Sequence, residues 1–263
     1  MTAVGPMLKT WRARRRLSQL DLALEANVSA RHLSFVETGR SRPSEQMVLH
    51  LAEHLDVPLR ERNRLLLAAG YAPVYAQRGL YEPELTPIRE ALDQLLKAHE
   101  PFPAVVVDRA SNLVAANSAV ALLTEGVAPH LLEPPINVLR CALHPEGMAR
   151  RITNLGEWRA HLLSDLAAQR DATGDEDLVA LYEELSAYPG PEQEPGRHDV
   201  FVPLKIDGLT FLSTRTTFGT AVDVTVSELA IEAFFPADEV TFEVIKAIRP
   251  VPAVRSEPHI DLN

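Results

Sequence analysis

Three serines, Ser18, Ser29 and Ser44, each stand directly before a segment whose apolar residues recur at helical spacing. A serine hydroxyl accepts the backbone N–H groups that open a helix, so these positions read as N-caps. Gly39 and Gly70 close segments as left-handed C-caps do. The marks divide the N-terminal part into short helices at roughly Pro6–Arg16, Gln19–Ala26, Ala30–Thr38, Glu45–Leu55 and Leu59–Ala69. Leu8/Trp11, Leu22/Ala23/Ala26, Leu33/Val36 and Val48/Leu51/Ala52/Leu55 keep the spacing of one buried face. The expectation is an all-α head of five helices.

Charge and proline set this head apart. The whole chain of 263 residues has a formal net charge of −10, which taken alone argues against a nucleic-acid partner. Residues 1–72 carry 11 Lys+Arg against 7 Asp+Glu, a net of +4, and the remainder carries 15 against 29, a net of −14. The average conceals a basic head on an acidic body. Three of the 20 prolines precede residue 73, and Pro73–Pro87, with three prolines and Gly79, reads as a linker.

The body opens with a helix, Thr86–His99, then a strand-like run Phe102–Asp108, a turn Arg109–Asn112 and a second run Leu113–Ala116. Helical patterns dominate from Ser118 to Tyr188, including Glu157–Gln169, and Pro189–Gly196 reads as a loop. Asp199–Ile206 and Leu209–Phe218 flank Asp207-Gly208, a hairpin signal. Val222–Phe235 reads as a third strand and Ala237–Ile248 as a closing helix. Strands at both ends of a helical middle predict an antiparallel sheet with helices on one face, an α+β domain.

Other classes fall away. The longest apolar run, Phe102 to Val107, is far short of the roughly 18 residues that span a bilayer. No leader segment is read at the N-terminus. The single cysteine, Cys141, excludes a disulfide framework within one chain and any Cys-based zinc cluster. The chain is expected to be soluble and cytoplasmic, with no membrane partner.

Leu17-Ser18-Gln19-Leu20-Asp21-Leu22-Ala23, Asn27-Val28-Ser29, Leu33 to Gly39 and Arg40-Ser41-Arg42-Pro43 place two short helices around a tight turn. The second must fit a groove about 12 Å wide. Residues 7–57 resemble the Cro/repressor-type (XRE) helix-turn-helix domain at its core, cap and turn positions. The resemblance implies that Gln19 binds backbone phosphate, that Ser29, Ala30, Arg31, Ser34 and Phe35 face the major groove, and that Arg40 and Arg42 hold phosphate from the following loop. Arg31 would fork onto guanine, while Ala30 and Phe35 would meet thymine methyls; His32 lies at the margin. Arg12 and Glu37 match a structural ion pair. Two alternatives stay open: Phe35 packing against the first helix or the body, and Arg12–Arg16 as a solvated face that here adds to the phosphate-facing field.

His50-Leu51-Ala52-Glu53-His54 spells an inverted zinc-protease pattern, but Leu51 and Ala52 fall on the core face and no third ligand is evident. No metal site is expected. The body has three lysines, Lys97, Lys205 and Lys246, and none of the GxSxG, P-loop, GxGxxG or self-cleavage motifs. The chain is read as a non-enzyme without a cofactor.

In the body, Val107-Asp108-Arg109-Ala110-Ser111-Asn112-Leu113-Val114-Ala115-Ala116-Asn117 resembles the opening hairpin of the MmyB-like, PAS-type ligand-binding domain. Ala116 stands where that family usually has Trp. Asn137-Val138-Leu139-Arg140 and His198-Asp199-Val200 continue the likeness. The resemblance implies binding of a fatty-acid-like small molecule in an apolar cavity. Leu155, Trp158, Leu162, Phe211 and Phe234 are candidate lining residues, although residues of this kind are more often simply core. A carboxylate ligand would want a partly buried arginine, which makes Arg140 and Arg215 candidates against the alternative of structural ion pairs. Asn137, His144 and His161 are further candidates.

The divisions expected are thus a DNA-binding head at 1–72, a linker at 73–87, a ligand-binding domain at 88–250 and a tail at 251–263. The partners expected are double-stranded DNA with a near-palindromic operator, a small lipophilic effector and a second copy of the chain. An antitoxin-like protein, whose body only dimerises or binds another protein, is the rival reading.

Overall fold

The N-terminal segment folds into five helices, α1 (Val4–Arg14), α2 (Gln19–Glu25), α3 (Ala30–Glu37), α4 (Glu45–His54) and α5 (Leu59–Ala69), in a computed structural model that describes residues 4–191 and 201–248. The serine caps are why they start where they do: the hydroxyls of Ser18, Ser29 and Ser44 accept the N–H groups of Asp21, His32 and Met47. Asp21 returns a bond to the Ser18 N–H, completing a capping box. Asn27 (φ 50°) turns the chain between α2 and α3, and Gly70 (φ 81°) ends α5. Leu8, Trp11, Leu22, Leu33, Val36, Leu51, Leu55 and Leu66 fill the core.

Gly5 lets α1 lie directly on the end of α3. A Cβ there would sit 2.7 Å from the Glu37 carbonyl oxygen and closer still to that of Val36. The helices that follow are α6 (Thr86–Ala98), α7 (Ala121–Thr124), α8 (Val138–Leu143), α9 (Leu155–Thr173), α10 (Glu176–Ala187), α11 (Val224–Ser227) and α12 (Glu239–Ala247).

The described residues form two compact units. The first draws on Met1–Glu82, Ala167–Val179 and Gly219–Ser227; the second draws on Pro83–Leu166, Ala180–Phe218 and Glu228–Asn263. In the first unit Arg14 donates to the Thr173 carbonyl (2.8 Å) and Arg15 to that of Ala172 (3.2 Å), so the last turn of α9 belongs with α1. Arg78 pairs with Asp223 at 3.0 Å, and Thr225 donates to the Arg78 carbonyl.

The second unit is an α+β domain around five antiparallel strands, β1 (Ala104–Val107), β2 (Leu113–Ala116), β3 (Leu204–Ile206), β4 (Leu209–Thr217) and β5 (Ala230–Pro236), in the order β2-β1-β5-β4-β3. Asp207 (φ 50°) and Gly208 (φ 79°) make the two-residue turn of the β3–β4 hairpin. The register pairs Val105 with Glu232, Val107 with Ala230, and Arg215, Ser213 and Phe211 with Glu232, Phe234 and Pro236. These residues share one face of the sheet. On the other face His99, just past α6, stacks on Phe235 at 4.7 Å, and Phe102 meets Phe242 of α12 at 5.8 Å.

The segment expected as one strand, Val222–Phe235, is divided. Asp223 Oδ1 accepts the Thr225 and Val226 N–H groups and winds the chain into α11 before β5 begins. Of the expected Asp199–Ile206 strand, Leu204–Ile206 is extended and paired. His198-Asp199-Val200, most of the Pro189–Gly196 loop and the 251–263 tail lie outside the described residues.

Candidate nucleic-acid interface and effector cavity

The first half of α3 presents Arg31 on the surface, its guanidinium 5.4 Å from the ring centroid of Phe35 one turn on. Phe35 is half-buried and does not join the core of the first unit, while Ala30 packs partly against that core. Ser34 is half-buried, and its carbonyl accepts the Thr38 hydroxyl. Arg31 and the exposed Arg40 have no carboxylate partner among the described residues. Arg42 is placed differently: its guanidinium donates to the Ala69 carbonyl (3.0 and 3.2 Å) and lies over the Tyr71 ring, so it closes the end of α5.

Behind this surface Arg12 grips Glu37 through two bonds, 2.7 and 2.8 Å, and donates a third to the Leu17 carbonyl. The side-chain amide of Gln19 gives Glu37 a further bond at 2.7 Å. Burial opposes ionisation of Glu37, but the bonds from Arg12 and Gln19, with the charges of Arg12 and Lys9, hold its carboxyl below the usual glutamate value. Arg12, Glu37 and Gln19 therefore fix α1, α2 and α3 to one another. Of the Arg12–Arg16 run, Arg12, Arg14 and Arg15 all place donors on protein oxygens.

The two α4 histidines are occupied locally. His50 Nε2 lies 2.6 Å from the Ala26 carbonyl, and His54 Nδ1 2.9 Å from that of His50. Among the described residues one group of metal-ligand type does gather, in the second unit, where His130, His144 and Glu146 bring an atom each within 4.8 Å of one another. His130 and Glu146 are exposed, and the Glu146 N–H donates to His144 Nδ1.

The second unit also holds a cavity of about 650 Å³ between the β1/β5 face of the sheet and α7, α8 and α9. Its walls are apolar: Val105, Leu113, Leu139, Met148, Trp158 and Phe234 among them. Of the expected ligand residues, Trp158, Leu162 and Phe234 are on the wall. Phe211 is fully buried in the packing beside Phe234. Asn137 instead caps α8, accepting the Arg140 N–H and donating to the Ala110 carbonyl.

Arg140 forms a two-bond pair with Glu184 (2.7 and 2.8 Å), and Tyr188 donates to the same carboxylate at 2.5 Å. Burial first, then the hydrogen bond to Glu184 and its charge, push the Tyr188 hydroxyl up to about 12. His144 stacks edge-on with Tyr188, and His161 faces Asp165 one turn along α9.

Arg215 pairs with Glu232 at 3.1 Å. Glu232, not named from sequence, is the member of that pair on the cavity wall. The signal was present: on β5 it has the same parity as Phe234, so a strand that turns Phe234 inward turns Glu232 inward too. Burial pushes its carboxyl above the usual value, Arg215 opposes this, and Asp165 adds to it.

Among the described residues no helix is long and apolar enough to cross a membrane. No curated protein matches the chain. Residues 8–62 match the helix-turn-helix family and residues 88–248 match the MmyB-like transcription regulator ligand binding domain, which spans more than half of the chain. With a helix-turn-helix head and that ligand-binding domain, the chain belongs to the MmyB-like transcription regulators.

Proposed function

We propose that this DNA-binding regulator is a cytoplasmic repressor that recognises a near-palindromic operator as a homodimer and responds to a small lipophilic effector. The observation that carries the reading is the cavity of about 650 Å³, apolar on nearly every side, in a chain that also bears a helix-turn-helix. Such a volume suits a drug-sized molecule. The working division is a DNA-binding domain at 1–72, a linker at 73–87, an effector domain at 88–250 and a tail at 251–263.

In the head, Arg31 and Phe35 read bases, with Ser29, Ala30 and Ser34 completing the groove-facing surface. Stacking on Phe35 supports the Arg31 fork in an orientation suited to the O6/N7 edge of a guanine. Gln19 and Arg40 meet phosphate, and the Arg42 hydrogen bonds favour a role in shaping the loop. α9 is one continuous helix that carries Trp158 and Leu162 on the cavity wall and ends at the carbonyls that take Arg14 and Arg15. An effector that shifts this helix needs only a few kcal/mol of differential binding to alter operator affinity greatly.

The test is a gel-shift series on operator DNA recovered by in vitro selection. Arg31→Ala is expected to cost about 1–3 kcal/mol of specific binding and to relax preference at one base position of each half-site. Unchanged affinity and unchanged preference would sink the assignment. Arg14→Ala is expected to keep operator binding and blunt the effector response; a full response would remove α9 from the relay.

A further inference from the structure

The polar groups on the cavity wall are few, and most are already committed. Asn117 accepts the Ala104 N–H and donates to the carbonyls of Leu96 and Phe102. Ser118 donates its hydroxyl to Glu100 and Thr124 to the Val120 carbonyl. The Cys141 thiol donates to the Leu131 carbonyl. Among the described residues no lysine, arginine or histidine is on the wall, and the indole N–H of Trp158, which carries no charge, is the remaining side-chain donor.

Among the described residues Glu232 is the wall's one ionisable carboxyl. It sits mid-strand on β5, directly across from Arg215 on β4, on a sheet face that also presents Val105, Val107, Phe211, Ser213, Ala230 and Phe234. A carboxylate has about four acceptor positions, and Arg215 takes Oε1 at 3.1 Å. The remaining capacity can receive a donor. A fatty-acid anion entering here would meet the Glu232 carboxylate, whose cation, Arg215, is already engaged with it, an arrangement that low dielectric makes unfavourable.

We infer that the cavity takes a lipophilic molecule whose polar end donates hydrogen bonds, an amine above all, and that Glu232 receives it. This rests on the reading of the cavity as the effector site. It also replaces the fatty-acid-like ligand and the receiving arginine that the sequence suggested. The raised pKa of Glu232, set first by burial, is consistent with the same picture, because a site short of positive charge gains most when a ligand supplies it.

The experiment uses the purified full-length chain and Nile red, an uncharged dye whose emission rises in apolar surroundings. Dodecylamine, dodecanol and dodecanoate are each titrated below the concentration at which they aggregate. Dodecylamine is expected to displace the dye at a concentration roughly tenfold lower than dodecanoate, the equivalent of about 1.4 kcal/mol. In Glu232→Gln that advantage should fall below roughly threefold while dodecanol is unchanged.

Arg215→Gln, which leaves Glu232 as the site's charge, should widen the preference and gives a second test if Glu232→Gln fails to fold. Dodecanoate binding as tightly as the amine, or an amine preference that Arg215→Gln narrows, overturns the head-group assignment and leaves the effector site standing. If Nile red does not bind, or none of the three amphiphiles displaces it, the effector-site reading falls and this inference with it.

Discussion

Glu37 in the head and Glu232 in the body are both carboxyls withdrawn from water beside an arginine, and their acidities move in opposite directions. Burial opposes ionisation of both, and the donors around each decide whether it is offset. Glu37 accepts two bonds from Arg12 and one from Gln19, and these outweigh the cost of burial. Among the described residues Glu232 accepts one side-chain bond, from Arg215, and burial, helped by the Asp165 charge, wins. A carboxylate whose donors close around it is a tie between helices. One left with spare acceptors on the wall of an apolar cavity is where we place the ligand's polar end.

The largest effect should come from opening the closed shell. Glu37→Gln leaves Arg12, only 12% exposed, against a neutral amide. Breaking a buried pair from one side costs about 3–5 kcal/mol, so urea denaturation followed by circular dichroism should show a loss of that order. The double change Arg12→Met with Glu37→Leu should recover most of it, because neither charge is then stranded. A loss below about 1 kcal/mol for Glu37→Gln would mean that the tie is no stronger than a surface pair.

A smaller loss should follow from moving the backbone that delivers Glu37. In Gly5→Ala the added methyl would collide with the carbonyls of Val36 and Glu37, which are backbone atoms that cannot swing aside. Overpacking of this kind costs about 1–3 kcal/mol. A melting temperature equal to that of the unaltered chain would show that α1 can shift without loosening the Arg12–Glu37 pair.

Acid titration of stability sharpens the contrast by sign. Folding lowers the pKa of Glu37, so its contribution is present above the usual glutamate range and lost as pH falls through the folded value. Folding raises the pKa of Glu232, so its contribution is present below the usual range and lost as pH rises through the folded value. Relative to the unaltered chain, Glu37→Gln should therefore flatten the loss of stability on acidification, and Glu232→Gln should flatten the loss on moving back toward neutrality. Two profiles that change in the same direction would erase the distinction.

How legible these features were in sequence follows how local each one is. The caps at Ser18, Ser29 and Ser44 act over three residues, and the left-handed turn at Asp207-Gly208 over two, so residue type alone gives them away. The head could be read nearly helix by helix for this reason. Arg140, by contrast, meets Glu184 from 44 positions away, and nothing in its own surroundings says so. The end of the Val222–Phe235 segment was read as strand correctly. Its start was not, because one side chain, Asp223, redirects the backbone into α11. Glu232 was passed over because a charge in a strand is ordinarily taken as facing water; only register against Val105 and Arg215 fixes it to the inner face.

The smallest effect expected is the loss of stability when Glu232 becomes Gln. The substitution keeps the shape and removes a desolvated charge, which favours the folded chain. It also deprives Arg215 of its partner, but that guanidinium is 37% exposed and can turn to water. The two consequences oppose each other, and a half-exposed pair contributes at most about 1 kcal/mol, so denaturation at neutral pH should change by less than that. A loss near that of Glu37→Gln would make Glu232 a second structural tie, with its acceptors engaged in holding β4 to β5. A near-neutral result, together with lost discrimination between amine and carboxylate probes, separates binding from folding: a docking group is one the folded protein can do without until the ligand arrives.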